Sequence, residues 1–274
     1  MTQITASDVA NLRKITGAGM MDCKKALQES NGDVDQAIEN LRKKGQKIAS
    51  KREDRDANEG CVLAAVSSDN NFAALIALNS ETDFVAKNDD FVAVTRNILT
   101  TAIENKISSN DALQSLKVND LAVSEIVTDL MGKIGEKIEI GYFDVIDAPY
   151  VVAYVHPGNK LATIVGFNKV VADEQVAKDV AMQVAAMNPV SVDKDDCPSD
   201  VIEKEIEIGK EQARQEGKPE DLLEKIALGK LNKFYKENTL LNQDFVKDNK
   251  QSISQYLKSA DNELTVVGFK RFGL

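Results

Sequence analysis

The sequence predicts an α+β fold, because a strand–turn–strand–helix pattern occurs twice and other helical patterns precede the first copy and interrupt the second. The chain has 274 residues, 43% of them hydrophobic, which is enough for two or three compact units with cores of their own. Alternating strands of this kind are typical of antiparallel sheets covered by helices on one face. We therefore expect a helical N-terminal domain, a core of two repeated antiparallel-sheet/helix subdomains, and an inserted helical hairpin.

The first 45 residues predict three short helices. The first begins after Ser7 as the N-cap, the second covers residues 20–30, and the third runs from Asp33 to Gly45. The predicted apolar stripe of the first helix consists of Val9, Leu12 and Ile15. Three helices of this length bury little apolar surface, so this unit should work docked to another surface. The charged segment Ser50–Glu59 is interpreted as a linker or a frayed helix end.

The two copies of the repeat differ in one place. Phe72 in a strand of the first copy aligns with Leu161, 89 residues later, whereas Phe91 in the following helix aligns with Val176, only 85 residues later. The first copy therefore has four additional residues between its second strand and its helix. They fall in the segment 80–89, SETDFVAKND, which carries an aromatic side chain in a polar loop. Loops on rigid scaffolds often carry function.

The rest of the chain contains the remaining predicted elements and the domain boundaries. Ile134, Ile138 and Ile140 indicate a strand after a helix near residues 125–131, and the last residues, 263–274, indicate a final strand of the second sheet. A charged helical pattern that breaks at Gly217 predicts the hairpin. The predicted parts are residues 1–55 (helical domain and linker), 56–145 (first core subdomain), 146–198 with 238–274 (second core subdomain) and 199–237 (hairpin).

Charge and residue content argue against several classes of protein. The net charge is −10, with +3 on residues 1–55 and −13 on the remainder. An acidic body disfavours nucleic-acid binding, so the basic run Arg42–Arg55 is interpreted as a solvated helix end rather than an RNA site, although the RNA-binding alternative stays open. Three isolated cysteines and one histidine predict neither a disulfide framework nor a zinc site and suit a cytoplasmic protein. No signal peptide or membrane-spanning stretch is predicted.

Catalytic motifs are also missing from the sequence. There is no GxxxxGK[ST] phosphate-binding loop, and the single histidine, His156, lies at a turn before Pro157-Gly158. These observations favour a binding protein that needs no cofactor or metal over an enzyme with covalent chemistry.

Two long motifs resemble those of bacterial elongation factor Ts. They are LRKITGAGMMDCKKALQESNGDVDQAIENLRKKG near the N-terminus and SETDFVAKNDDF in the core, and KIGE, VHPG, AMQVAAMNP and GKPE follow in the family's order. The resemblance implies a ubiquitin-associated-like N-terminal domain, a core of two α+β subdomains and a coiled-coil hairpin. It also implies that the chain is a nucleotide-exchange factor for the GTPase elongation factor Tu. Many bacterial members carry a further C-terminal helical module that contacts the GTPase, and we expect that contact to be absent or replaced here, because the chain stops at Leu274.

The resemblance also implies which residues contact the partner. In the family, the loop that matches Thr82-Asp83-Phe84-Val85 disturbs the GTPase near its Mg²⁺ and phosphate site, with Phe84 as a wedge and Asp83 acting on the polar network. Outside this loop, the residues that match partner-contacting positions of the family are Arg13, Met20, Met21, Ile134, Gly135 and His156.

Alternatives remain open at this stage. Phe84 could fold back onto its own domain, one of the two methionines could be a core residue, and His156 could be purely structural. The protein could also be an adaptor that binds partner helices without changing nucleotide affinity. The oligomeric state is open between a monomer and a homodimer.

Overall fold

Three helices form the N-terminal part of the structure, a computed structural model that describes residues 4–274: α1 (Ala6–Thr16), α2 (Met20–Glu29) and α3 (Val34–Arg52). The predicted N-cap of α1 is wrong by two residues. Thr5 caps the helix, because its hydroxyl accepts a hydrogen bond from the Asp8 amide while the Asp8 carboxylate accepts one from the Thr5 amide. Leu12 is buried as predicted, but Ile15 is 63% exposed, so it does not belong to the core of the helices.

The predicted end of α3 at Gly45 is wrong. The helix continues through Gly45 to Arg52, so most of its last turn lies in the segment interpreted as a linker or a frayed helix end. The role of Gly45 is close packing against α7 (Val123–Ile134), since a Cβ added at Gly132 of α7 would lie 2.8 Å from the Gly45 Cα. The absence of both side chains lets the two helix backbones approach each other.

A three-stranded sheet follows, with β1 (Glu59–Val66), β2 (Phe72–Ser80) and β5 (Ile138–Asp147) in the order β1-β2-β5. Ile134 is the last residue of α7 and not part of the predicted strand, because Gly135 ends the helix in a left-handed conformation with φ 79°. The elements between β2 and α7 are α4 (Asp83–Ala86), α5 (Asp89–Glu104), α6 (Asn110–Ser115), β3 (Lys117–Val118) and β4 (Leu121–Ala122).

A second three-stranded sheet has the order β10-β7-β6, built from β6 (Tyr150–Val155), β7 (Leu161–Phe167) and β10 (Val266–Gly273). Both pairings are antiparallel, and β10 confirms the predicted final strand. Helix α8 (Glu174–Met187) contributes Val180 and Val184 to the core that lies against β7. The remaining elements are α9 (Ser199–Gln215), α10 (Glu220–Asn238), β8 (Asp244–Phe245), β9 (Asp248–Ser252) and α11 (Ile253–Ala260).

Helices α9 and α10 pack against each other as a hairpin. A Cβ added at Gly209 would lie 3.1 Å from the Ala227 Cα, and the Lys210 ammonium lies 2.7 Å from the Glu224 carboxylate. Close packing of small residues at the centre stabilises such a pair, and the exposed ion pairs at its edges add little.

The chain divides into two compact units. The first comprises the described residues up to Leu63, Ile76–Phe143 and Leu274, and the second comprises Ala64–Leu75 and Asp144–Gly273. In the residues described, no helix has the length and apolar character needed to cross a lipid bilayer.

Candidate functional site

The short helix α4 lies in the segment where the first repeat is longer. It is a single turn that begins after Thr82 and ends before Lys87, and Ala86 is its buried residue. Phe84 points into solvent and is 85% exposed, so the alternative in which it folds back onto its own domain is wrong. An aromatic side chain this exposed, on a well-defined turn, is available to a partner.

Two hydrogen bonds from Thr82 hold the start of α4 to the segment after α7. The Thr82 amide donates to Glu136 Oε2 at 3.0 Å, and the Thr82 hydroxyl donates to Glu136 Oε1 at 2.7 Å. Both oxygens of one carboxylate are therefore used by a single residue. Glu136 directly follows Gly135, so these bonds tie the Phe84 turn to another predicted contact segment.

Glu81 links the same two segments, but here the carboxylate that accepts the hydrogen bond lies on the side of α4. Its Oε1 accepts a hydrogen bond from the Lys137 amide at 2.6 Å, and its carboxylate pairs with Arg52 at 2.6 Å and with Arg55 at 2.9 Å. Partial burial raises the pKa of the Glu81 carboxyl, but the Lys137 amide and the two guanidinium groups outweigh it and lower the pKa to about 2. Glu81 is therefore ionised at neutral pH.

Asp83 pairs with Lys87 on the exposed side of α4. The Lys87 ammonium lies 2.6 Å from Asp83 Oδ2, and this hydrogen bond raises the pKa of Lys87. Exposed pairs at this helical spacing contribute little to stability, so a partner can take over the Asp83 carboxylate at low cost. Val85, the fourth residue of the predicted loop, is half-buried.

The turn between α1 and α2 carries a second exposed apolar group. Met20 is 58% and Met21 is 72% exposed at the start of α2, so the alternative in which one of them is a core residue is wrong. Arg13 is exposed in the last turn of α1. Ile15 belongs to the same group, and sequence analysis misplaced it because its spacing from Leu12 matches a helical core pattern. Methionine side chains adapt readily to apolar partner surfaces.

Two further predicted residues lie at the end of α7. Ile134 is partly exposed in its last turn, and Gly135 adopts a positive φ with open space where a Cβ would lie. Glycine is therefore favoured by backbone conformation at this position and not by crowding.

His156 lies in the second unit, whereas the other predicted residues belong to the first. It is exposed after β6, where its amide donates to the Leu161 carbonyl at 2.8 Å and its Nδ1 lies 3.0 Å from the Tyr154 hydroxyl. These contacts fit the structural alternative, and they leave the ring accessible.

Within residues 4–274 the potential metal-binding side chains are scattered, and the three cysteines lie in the interior. No group of three or more His, Cys, Asp or Glu side chains in this range could hold a metal ion. Cys23, Cys61 and Cys197 are free and buried, and burial raises the pKa of the Cys61 thiol to about 11.

Known proteins resemble the chain over nearly all of its length. The family described as Elongation factor TS matches residues 81–274. Elongation factor Ts of Azobacteroides pseudotrichonymphae is 53% identical over 271 residues, which cover 99% of this chain and 98% of the relative. Proteins of the same name from Porphyromonas gingivalis, 51% identical over 99% of this chain and 98% of the relative, and from Christiangramia forsetii, 51% identical over the full length of both, are similarly close.

Proposed function

Because the chain belongs to the elongation factor Ts family, whose members act in translation elongation, we propose that it is a guanine-nucleotide exchange factor that promotes GDP release from elongation factor Tu. The observation that carries the proposal is Phe84, 85% exposed on a turn fixed by hydrogen bonds. An exposed, oriented aromatic side chain can enter a partner as a wedge.

An exchange factor of this kind needs no covalent chemistry. It must bind the nucleotide-free GTPase more tightly than the GDP-bound form, and linkage then requires that it weaken GDP binding by the same factor. The phosphate cradle and Mg²⁺ hold much of the nucleotide's charge, so a wedge near them lowers GDP affinity. Phe84 supplies the wedge and Asp83 competes for the polar groups around the metal, while Thr82 and Val85 complete the inserted turn.

The other predicted residues supply binding contacts. Arg13, Met20 and Met21 contact the nucleotide-binding domain of the GTPase, and Ile134 and Gly135 add contacts beside the Phe84 turn. His156, from the second unit, contributes a separate contact. The exposure of the two methionines supports this assignment.

The finer architecture belongs to the same proposal. We assign residues 1–55 to a ubiquitin-associated-like domain, 56–145 and 146–198 with 238–274 to two repeated core subdomains, and 199–237 to a coiled-coil hairpin. We place the protein in the cytoplasm, where translation elongation takes place.

The test is the release of labelled GDP from the cognate elongation factor Tu, with and without this protein, in excess unlabelled GDP. We expect acceleration that saturates with the concentration of this protein. Binding to the GTPase with an unchanged release rate would instead establish the adaptor alternative.

A further inference from the structure

The Phe84 turn and the segment after α7 are joined by hydrogen bonds in which each segment supplies one glutamate carboxylate. Glu136 accepts hydrogen bonds from the amide and hydroxyl of Thr82 at 3.0 and 2.7 Å, while Glu81 accepts one from the amide of Lys137 at 2.6 Å. Neighbouring residues on each segment thus provide one acceptor and one amide donor. Hydrogen bonds to ionised carboxylates are the stronger kind, so this exchange fixes the two segments against each other.

Other hydrogen bonds at the turn, from the Ser80 hydroxyl to the Thr82 carbonyl at 3.0 Å and between Lys87 and Asp83, join residues close in sequence. α4 has one buried residue, Ala86, and Phe84 itself lies in solvent. Isolated single helical turns are unstable, because nucleation fixes several dihedral angles for one hydrogen bond. The Glu136 hydrogen bonds fix the start of α4 to a segment distant in sequence, and the direction of Phe84 depends on them together with α5, which follows the turn.

We propose that Glu136 is a positioning residue for exchange, which orients the Phe84 turn before the partner binds, with Glu81 as its counterpart. This inference rests on the proposed function. A preorganised wedge loses less conformational entropy on insertion, so loss of the carboxylate should reduce exchange although Phe84 itself is unchanged.

The first experiment needs no partner. The chain contains no tryptophan, so Phe84→Trp provides a single fluorescent reporter at the tip of the turn. Adding Glu136→Gln, which replaces one acceptor oxygen by an NH₂ group facing a donor, should lower the fluorescence anisotropy of Trp at position 84 and increase hydrogen exchange at the Thr82 amide. Glu29→Gln, an exposed glutamate paired only at 3.8 Å with Lys25, is the charge-matched control.

The second experiment is a double-mutant cycle on GDP release. We expect Glu136→Gln alone to slow release roughly tenfold, equivalent to about 1.4 kcal/mol. In a Phe84→Ala background the same change should have almost no further effect, because there is no wedge left to orient. Glu136→Asp, which keeps the charge, should recover part of the loss.

The results distinguish a failure of the positioning role of Glu136 from a failure of the proposed exchange function. Unchanged anisotropy in Glu136→Gln, or additive losses in the cycle, would overturn the positioning role while exchange by the wild type stands. If the wild type itself does not accelerate GDP release, the proposed function fails, whatever the anisotropy shows. Melting temperature, recorded on each variant, identifies losses due to unfolding.

Discussion

The stability of the folded protein does not explain why Phe84 is exposed. Burying a phenylalanine side chain is worth about 1.5–3 kcal/mol, yet this one is 85% exposed while Ala86 beside it is buried. The local sequence supplies the explanation, because α4 directs Ala86 towards the protein core and Phe84 away from it. The exposed ring therefore supports the proposed binding role of Phe84, which would be retained at some cost to the free chain.

Phe84→Ala should remove an aromatic anchor and slow the exchange step. A central aromatic anchor costs roughly 2–4 kcal/mol on truncation, which corresponds to a loss of about 30- to 1000-fold. The melting temperature should hardly change, since the side chain has few contacts in the free protein. Asp83→Ala, whose polar contacts water can partly replace, should lose less. A large fall in stability with normal exchange per folded molecule would contradict the wedge.

Glu81 gives the first unit a defined dependence on pH. Its pKa in the folded state is about 2, below the ordinary glutamate value of 4.5, so its contribution to stability is complete above pH 4.5 and is lost as the pH falls towards 2. Because its side chain is only 16% exposed, this contribution should be on the order of 1–3 kcal/mol at neutral pH.

Glu81→Gln should accordingly lower the free energy of unfolding at pH 7, and its difference from the wild type should shrink between pH 4.5 and pH 2. Urea unfolding across this pH range measures both effects. Glu29→Gln, with a largely exposed side chain, should follow the wild type throughout. A difference that stays constant with pH would show that Glu81 acts through packing and not through its charge.

Among the elements, the sequence predicted those that depend on local periodicity. The strand–turn–strand–helix pattern predicted twice is present in both copies, as β1, β2 and α5 in the first and as β6, β7 and α8 in the second. The errors share a cause. Gly45 resembles a helix stop by local rules, but its position in α3 is explained by Gly132 on a distant helix. Ile134 has the spacing of a strand residue, but Gly135 ends a helix there.

Gly132→Ala should destabilise the contact of α3 with α7. The added Cβ would lie 2.8 Å from backbone, not from a flexible side chain, so the helices must separate at a cost of about 1–3 kcal/mol. Gly229→Ala is the matched control, because Gly229 lies inside α10 with open space around it and alanine there should stabilise by roughly 0.5–1 kcal/mol. Thermal unfolding of both variants should show opposite shifts, and a stabilised Gly132→Ala protein would contradict the close approach.

On the scale of the whole molecule, the sequence does not reveal how the N-terminal helices pack against the residues that follow them. Composition and charge place a boundary near residue 55, from which we would expect the core to fold without the preceding residues. In the structure these helices belong to the same compact unit as Ile76–Phe143. The missing information is tertiary, since neither the Gly45–Gly132 approach nor the pairing of Arg52 and Arg55 with Glu81 leaves a local signal in the sequence.

Deletion of residues 1–55 should therefore lower the stability of what remains. It removes the helix that covers Gly132. It also takes two of the three partners from the Glu81 carboxylate, whose side chain is only 16% exposed, and so leaves a poorly compensated charge.

The hairpin provides the control deletion. Its ends lie beside a paired segment, where the Val190 amide donates to the Asn238 carbonyl at 2.8 Å and the Leu240 amide to the Ser191 carbonyl at 3.0 Å. A short Gly/Ser link in place of the outer part of 199–237 should thus be tolerated, with GDP release retained. Calorimetry should show a lower or broader transition for the first deletion and a nearly unchanged one for the second. If the first instead melts as cooperatively as the full chain, the N-terminal helices form an independent domain, as composition alone suggests.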